Sequence, residues 1–101
     1  MVTKALYVPL KAKPGKEGDV EDFLNSGLGL VQEEPDTVTW YAIKEGDGQY
    51  AIFDTFSDDD GRQAHLNGKV AEALMANADE LFSEPPDIHQ IDVLAAKVPG
   101  Q

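Results

Sequence analysis

Two histidines are the residues of this chain whose side chains titrate near neutral pH. His65 lies at the predicted boundary between core and solvent if its neighbour Leu66 faces the core. An imidazole with an unperturbed pKa of about 6.5 can accept or donate a proton at neutral pH. His65 is therefore a candidate catalytic base or orienting donor, and an ordinary hydrogen-bonded side chain is the alternative. His89 lies among the polar residues Asp87 and Gln90, which is typical of a surface position.

Asp54 is an unusual carboxylate because it alternates with Ile52 and Phe56 in a stretch rich in apolar residues. This alternation predicts a partly buried side chain. A buried carboxylate needs a partner, or its pKa rises. Arg62 or Lys44 is the expected partner if Asp54 has a structural role, and a place in a catalytic site is the alternative.

Several large side chains could line a flat apolar cavity beside these titratable groups, although each is also typical of a plain hydrophobic core. They are Trp40, Tyr41, Phe53, Phe56 and Met75.

The sequence offers no convincing metal, phosphate or nucleophile motif. The acidic run Asp58–Asp60 lacks the interleaved ligands and the distal glutamate of a calcium loop. There is no glycine-rich phosphate loop, nucleophile elbow or dinucleotide fingerprint. The chain has no cysteine, so it has no disulfide, no thiolate chemistry and no cysteine-based zinc site. No metal site and no dinucleotide cofactor is therefore expected.

The charge balance limits the possible partners. Eight Lys and Arg against nineteen Asp and Glu give the 101 residues a net charge of −11. A nucleic-acid or anionic membrane surface requires a basic stripe, and none is present. No segment resembles a secretory signal or a membrane span. We therefore expect a cytoplasmic protein that binds neither nucleic acid nor membrane.

The elements that must position these residues follow one order along the chain. A strand over Val2–Ala12 precedes a helix from Lys16, whose apolar residues recur every three or four positions. Pro9 places the second half of this strand at a sheet edge or a bulge. Gly27 and Gly29 weaken the helix, or else allow close approach to a sheet or ligand.

A hairpin and two further helices complete the pattern. Strands over Thr37–Lys44 and Gln49–Phe56 flank a Gly-Asp-Gly turn. Ser57 and Asp58 suit a helix start, and a short helix to about Asn67 leads into a second one over Lys69–Phe82. The last strand covers Ile88–Val98. This order predicts one α+β domain over residues 1–101, a ferredoxin-like split βαβ sandwich with an antiparallel four-stranded sheet and helices on one face.

The predicted strands are apolar on both faces, although helices can cover only one. Val38, Trp40 and Ala42 oppose Tyr41 and Ile43 in the second strand. Each Phe or Ile side chain that stays exposed rather than buried lowers the stability of the protein by roughly 1.5–3 kcal/mol. A homodimer that pairs two open sheet faces would bury them, and cover by loops within a monomer is the alternative.

The chain resembles the antibiotic biosynthesis monooxygenase (ABM) domain proteins of the dimeric α/β barrel superfamily. The resemblance rests on the segments KPGKEGDVEDFL, EPDTVTWYAI and IFDTFSDDDGRQAHLNG. The last of these matches the family's aromatic-ended strand, acidic helix start and helix histidine, here Phe56, Ser57 to Asp60, and His65.

The resemblance implies a pocket between sheet and helices, in which oxygenase members oxidise phenols, quinols or related aromatics with molecular oxygen and without a cofactor. Such chemistry needs a base, a dry aromatic cavity and donors for the developing anion. The residues that could fill these roles are His65, Asp54, Trp40, Phe53 and Asn67, with Phe56 and Met75 as further cavity wall. A small-molecule-binding or purely structural homodimer of the same fold is the alternative function.

Overall fold

The computed structural model describes residues 1–100. In chain order its elements are β1 (Lys4–Lys11), α1 (Glu17–Val31), β2 (Thr37–Gly46), β3 (Gln49–Phe56), α2 (Asp59–Leu66), α3 (Lys69–Leu81) and β4 (His89–Asp92). The strands form one sheet in the order β2-β3-β1-β4, and every neighbouring pair is antiparallel. The predicted α+β architecture, a ferredoxin-like four-stranded sheet with helices on one face, is confirmed.

One face of the sheet carries the hydrophobic core. Leu6, Val8 and Leu10 of β1 lie beside the residues of the same face of β3, and α1 and α3 cover both rows. Helix α3 contributes Leu74, Ala78 and Leu81. Among residues 1–100, no helix combines the length and the apolar character needed to cross a membrane.

The two central glycines of α1 differ in their surroundings. A Cβ atom at Gly27 would lie 3.4 Å from two ring atoms of Trp40, whereas one at Gly29 would meet nothing within 4 Å. Gly27 therefore permits close packing of α1 on the Trp40 ring, which is the second of the two interpretations given above. At Gly29 the glycine is merely tolerated.

The position of Pro9 and the register of β4 show where the pairing between β1 and β4 ends. β4 pairs only with Lys4–Tyr7 of β1, so Pro9 lies where β1 has no β4 partner, as predicted. The prediction that the last strand continues to Val98 is wrong. Asp92 is already opposite Lys4, the first residue of β1, and the chain beyond it has almost no strand left to pair with.

Among the described residues, no helix lies over the other face of the sheet. A row of rings crosses all four strands on this face, and it consists of Tyr41, Phe53, Tyr7 and His89. Tyr41 is 54% exposed, and Ile43 and Ile91 are 39% exposed. Both faces of the sheet are therefore apolar, as the strand sequences predict, and within residues 1–100 the rest of the chain leaves Tyr41, Ile43 and Ile91 of the second face exposed.

Candidate functional site

A short helix carries His65 onto the covered face of the sheet. Asp58 caps α2, because its side chain accepts a hydrogen bond of 2.9 Å from the backbone N–H of Gly61. Gly61 packs closely against the loop before β2, since a Cβ atom at position 61 would lie 3.2 Å from the Asp36 carbonyl oxygen. The small residue lets α2 approach the loop before β2. This approach turns His65 inward, and only 6% of it is exposed.

His65 lies between two carboxylates from different parts of the chain. Its Nδ1 is 2.5 Å from Oε1 of Glu34, in the loop between α1 and β2. Its Nε2 is 3.0 Å from Oδ2 of Asp54, on β3. Asp54 is 1% exposed, and neither of its carboxylate oxygens receives a hydrogen bond of regular geometry. The three side chains form a buried row, Glu34–His65–Asp54, which we call the carboxylate–histidine row.

The surroundings of the row favour the protonated forms of Asp54 and His65. Burial raises the pKa of Asp54, and this effect exceeds the opposite effect of the nearby His65. Burial alone would lower the pKa of His65, but its contacts with Asp54 and Glu34 outweigh burial and raise that pKa. An imidazole held by two carboxylates is thereby favoured as a cation. The row can take up and release a proton within the protein.

Three cavities of about 190, 200 and 270 Å³ open beside this row. Glu34 lines all three of them. His65 and Ala64 line the first, Trp40 lines the second, and Gly68 lines the third. The side chain of Glu34 is 18% exposed, more than that of Asp54 or His65. Glu34 is therefore the member of the row that is most accessible from the cavities.

The predicted cationic partners of Asp54 lie elsewhere, and that prediction is wrong. Arg62 forms an ion pair of 2.8 Å with Asp59 and donates to the backbone carbonyls of Ala5 and Ile91. Lys44 pairs with Glu21 at 3.3 Å. Asp54 faces His65 instead.

The predicted cavity wall divides into three groups. Trp40 and the buried Phe56 lie on the helix side near His65, with ring centroids of Phe56 and His65 5.5 Å apart. Phe53 and Tyr41 lie on the open face, since strand side chains alternate between faces. Met75 is 55% exposed on α3. The structure thus does not bring Phe53, Tyr41 or Met75 to the row.

The remaining polar candidates are also at the surface. Asn67 is exposed at the end of α2, where its side chain donates to the Gln63 carbonyl. His89 is exposed and pairs with Asp87 at 2.9 Å, as its polar neighbours predict. Within residues 1–100, no cluster of three or more His, Asp or Glu side chains is arranged to hold a metal ion.

Glu34 is the member of the row that the sequence analysis missed. In sequence it is one acidic residue among many, in the turn that ends α1. Its hydrogen bond from Thr37 Oγ1, three residues later and 2.8 Å away, is a local signal that a loop carboxylate is held in place. Nothing in the sequence connects it to His65, 31 residues away.

Solved structures provide the comparison with known proteins. A protein of unknown function from Nitrosomonas europaea, NE2512, is 50% identical, with a TM-score of 0.96, over 100% of this chain and 98% of the other. Rv0793 from Mycobacterium tuberculosis is 13% identical, with a TM-score of 0.84, over 95% of this chain and 99% of the other. No family model and no curated protein matches the chain.

A third structure connects the fold to a named group. A Caulobacter crescentus protein, provisionally named an antibiotic biosynthesis monooxygenase, has a TM-score of 0.78 and 18% identity over 93% of this chain and 92% of the other. At that identity the likeness concerns the fold. The 50% identity shows that the chain belongs to the same family as the Nitrosomonas europaea protein. Its fold is the ABM fold.

Proposed function

We propose that this protein is a monooxygenase that oxidises a small phenol or quinol with molecular oxygen. The observation that carries the proposal is the carboxylate–histidine row, a buried proton-holding group that borders cavities walled in part by Trp40. The ABM fold supports it, because structures of this fold bear that provisional name.

The chemistry needs no electron donor other than the substrate. Oxidation of a phenol to a quinone by one molecule of oxygen releases one molecule of water, and the phenol supplies all four electrons. The protein must then hold the aromatic ring and accept the hydroxyl proton, since the phenolate gives up electrons more readily than the phenol. Trp40 offers a ring face for the first task, and the carboxylate–histidine row offers proton capacity for the second.

Oxygen uptake with a panel of phenols and quinols tests the proposal. His65→Gln keeps a polar side chain of similar size but removes the titrating imidazole. General acid–base groups contribute about 10²- to 10⁴-fold to rates, so we expect a loss in that range. Glu72→Gln is the control, because Glu72 is exposed on α3 and belongs neither to the row nor to the open face. Equal rates in wild type and His65→Gln would remove the histidine from the mechanism.

The alternative is a protein of the same fold that binds a small aromatic molecule without turnover. It predicts no oxygen uptake but a rise in melting temperature with the ligand, because a ligand that binds only the folded state stabilises it. The two measurements on one ligand panel separate the two functions.

We also propose that the protein is a homodimer joined through its open sheet faces. The exposed Tyr41, Ile43 and Ile91 support this, as does the charge of the chain. Two copies that each carry a net charge of −11 repel each other, so contact is most favourable through a face whose centre is uncharged. The ring row and the small residues beside it form such a centre.

Sedimentation tests this assembly. We expect a dimer for wild type and a monomer for the double variant Tyr41→Glu/Ile43→Glu, which places charge at the centre of the face. Met75→Glu is the control, since Met75 is equally exposed but lies on α3. A well-folded wild-type monomer of 11.0 kDa at low concentration would contradict the proposal.

A further inference from the structure

The segment after β4 exposes apolar side chains to water. Residues 93–100 form neither helix nor strand. Leu94 is 98% exposed, more than any other large apolar side chain within residues 1–100, and Ala95 and Ala96 are exposed as well. A contiguous apolar surface of this kind marks an interaction site. We call residues 93–98 the apolar arm.

The apolar arm has no strand beside it in its own sheet. The pairing of β4 with β1 ends at Asp92 and Lys4, and the Val93 N–H then donates to the Thr3 carbonyl oxygen at 2.9 Å. Beyond this bond, residues 94–100 make no backbone hydrogen bond to the sheet in the described part of the chain. The free edge of β2 lies three strand spacings away, about 14 Å, so the arm would use about four extended residues merely to cross to it. The arm is therefore available to a second chain.

The outer edge of β2 offers such a chain a place to pair. Among the described strands, β2 pairs with β3 alone, and its ten residues leave a long row of backbone groups on the other side. Edge strands are usually protected by charged residues, by proline or by being short. Residues 37–43 of β2 include neither a charged residue nor a proline. An extended segment can add to an edge of this kind through backbone hydrogen bonds.

The charge of the arm favours a second copy of this chain as the partner. Residues 93–100 contain one charged side chain, Lys97, and no acidic one, whereas the whole chain has a net charge of −11. The β2 hairpin itself carries Glu45 and Asp47. A cationic apolar segment is attracted to an acidic surface. Pro99 has no N–H, so it ends any strand pairing directly after the arm.

Strand alternation determines which face of the partner Leu94 would meet. His89 and Ile91 lie on the open face, since they oppose Tyr7 and Ala5 of β1. Leu94 is an odd number of residues from both, so in an extended arm it lies on the helix side. When the open faces of two protomers are turned toward each other, a segment that passes from one sheet to the other keeps its faces. Leu94 then arrives on the helix side of the partner's β2.

An apolar cavity lies at this place. It has a volume of about 200 Å³, and its lining includes Leu28 of α1 and Val38 and Trp40 of β2. Leu28 is 47% exposed, so an apolar side chain beside the free edge lacks cover within its own protomer. Leu94 and Leu28 are thus two apolar side chains that one protomer leaves in water and that a dimer can bring together.

We propose that the apolar arm of each protomer adds as a strand to the free edge of its partner's β2 and packs Leu94 over the partner's Leu28 and Trp40. The inference rests on the proposed homodimer, and two-fold symmetry gives two such contacts in each dimer. The cavity beside Trp40, which belongs to the proposed site, is then closed by the second copy.

Leu94→Ser tests the contact by sedimentation and by the fluorescence of Trp40, the one tryptophan of the chain. The variant should fold, because Leu94 has few contacts within its own protomer. Loss of two buried leucines per dimer should raise the Kd of the dimer about 100-fold or more. The emission of Trp40 should move to longer wavelength, since water replaces Leu94. Met75→Ser is the control and should change neither, because Met75 is 55% exposed on α3.

Crosslinking locates the contact, and it carries the test if Leu94→Ser does not fold. The chain has no cysteine of its own, so single cysteines can be introduced without background. Leu94→Cys and Leu28→Cys are prepared as separate proteins, mixed, allowed to exchange subunits and oxidised. A disulfide between positions 94 and 28 then joins two different chains. We expect this product, and none when Met75→Cys takes the place of Leu28→Cys.

The outcomes separate the arm from the open-face dimer. A wild-type monomer would overturn both. A wild-type dimer whose Kd and Trp40 emission are unchanged in Leu94→Ser, or a mixture that forms no disulfide between positions 94 and 28, overturns the arm and leaves the homodimer in place. The disulfide together with an unchanged Kd in Tyr41→Glu/Ile43→Glu supports the arm and contradicts pairing through the open faces.

Discussion

Two carboxylate clusters lie at opposite ends of α1, and they differ in how completely their polar atoms are paired. Near the start of the helix, Glu21 accepts a hydrogen bond of 2.5 Å from the Tyr50 hydroxyl and pairs with Lys44 at 3.3 Å. Just after its end, Glu34 meets His65 and Asp54 in the buried row, where one oxygen of Glu34 and both oxygens of Asp54 lack a regular donor. Among the described residues, no atom of Glu21 or Tyr50 is buried without a partner, and in this sense the first cluster is saturated and the second is not.

The pKa values reflect this difference. The hydrogen bond from Tyr50, together with Lys44, lowers the pKa of Glu21, and the same bond raises the pKa of Tyr50 to about 12. Glu21 is thus fixed as an anion and Tyr50 as a neutral donor at any ordinary pH. In the row, by contrast, burial and close contacts raise the pKa values of Asp54 and His65. The contacts of the first cluster connect α1 to β2 and β3. The second cluster retains the capacity to exchange a proton.

The largest expected effect comes from removing the centre of the unsaturated cluster. His65→Leu leaves the buried Asp54 without its partner, and breaking a buried pair in this way costs about 3 kcal/mol of unfolding free energy. Tyr50→Phe at the saturated cluster should cost less, because Glu21 keeps Lys44. Urea unfolding at neutral pH measures both. Adding Asp54→Asn to His65→Leu should recover part of the loss, and equal losses in the two single variants would contradict the comparison.

The clusters should also respond to pH in opposite directions. Because the folded pKa of His65 is raised above 6.5, its contribution to stability is fully present below that pH and is lost as pH rises through the folded pKa. The pKa of Glu21 is lowered below 4.5, so its contribution is present above that pH and is lost in acid. Unfolding midpoints across pH should show both losses in wild type, and only the acid loss in the double variant His65→Leu/Asp54→Asn, which also removes Asp54, whose raised pKa by itself causes a loss of stability as pH rises. An alkaline loss that persists in the variant would contradict this assignment.

The smallest expected effect concerns the two glycines between the clusters. Gly29→Ala fills open space on a helix and should raise the unfolding free energy by about 0.5–1 kcal/mol. Gly27→Ala should gain less, because its Cβ atom would lie 3.4 Å from the Trp40 ring. Trp40 is the one tryptophan of the chain, so its fluorescence reports the difference. Emission that changes in Gly29→Ala rather than in Gly27→Ala would contradict the packing described here.

Much of the fold could be predicted because patterns of neighbouring residues in the sequence indicate it. The three-and-four spacing before Val31 indicates α1, and the Gly-Asp-Gly turn indicates the β2–β3 hairpin. The end of β4 could not be predicted in this way. The chain beyond Asp92 is more apolar than the strand before it, and only the register against β1 shows that the partner strand has ended.

The candidate site was predictable only in part. Asp54 and His65 stand out by their residue types within apolar surroundings, and the structure places them together. Phe53 and Met75 were grouped with them by type alone, and the strand alternation and the outer side of α3 put them elsewhere.

By itself, the sequence determined the order of the elements, the capped start of α2 and a sheet that is apolar on both faces, because these depend on neighbouring residues and on the periods of helix and strand. Only the tertiary structure decided that Glu34 meets His65. Their contact spans 31 positions and depends on how closely α2 packs on the loop before β2, and no local pattern encodes that packing distance.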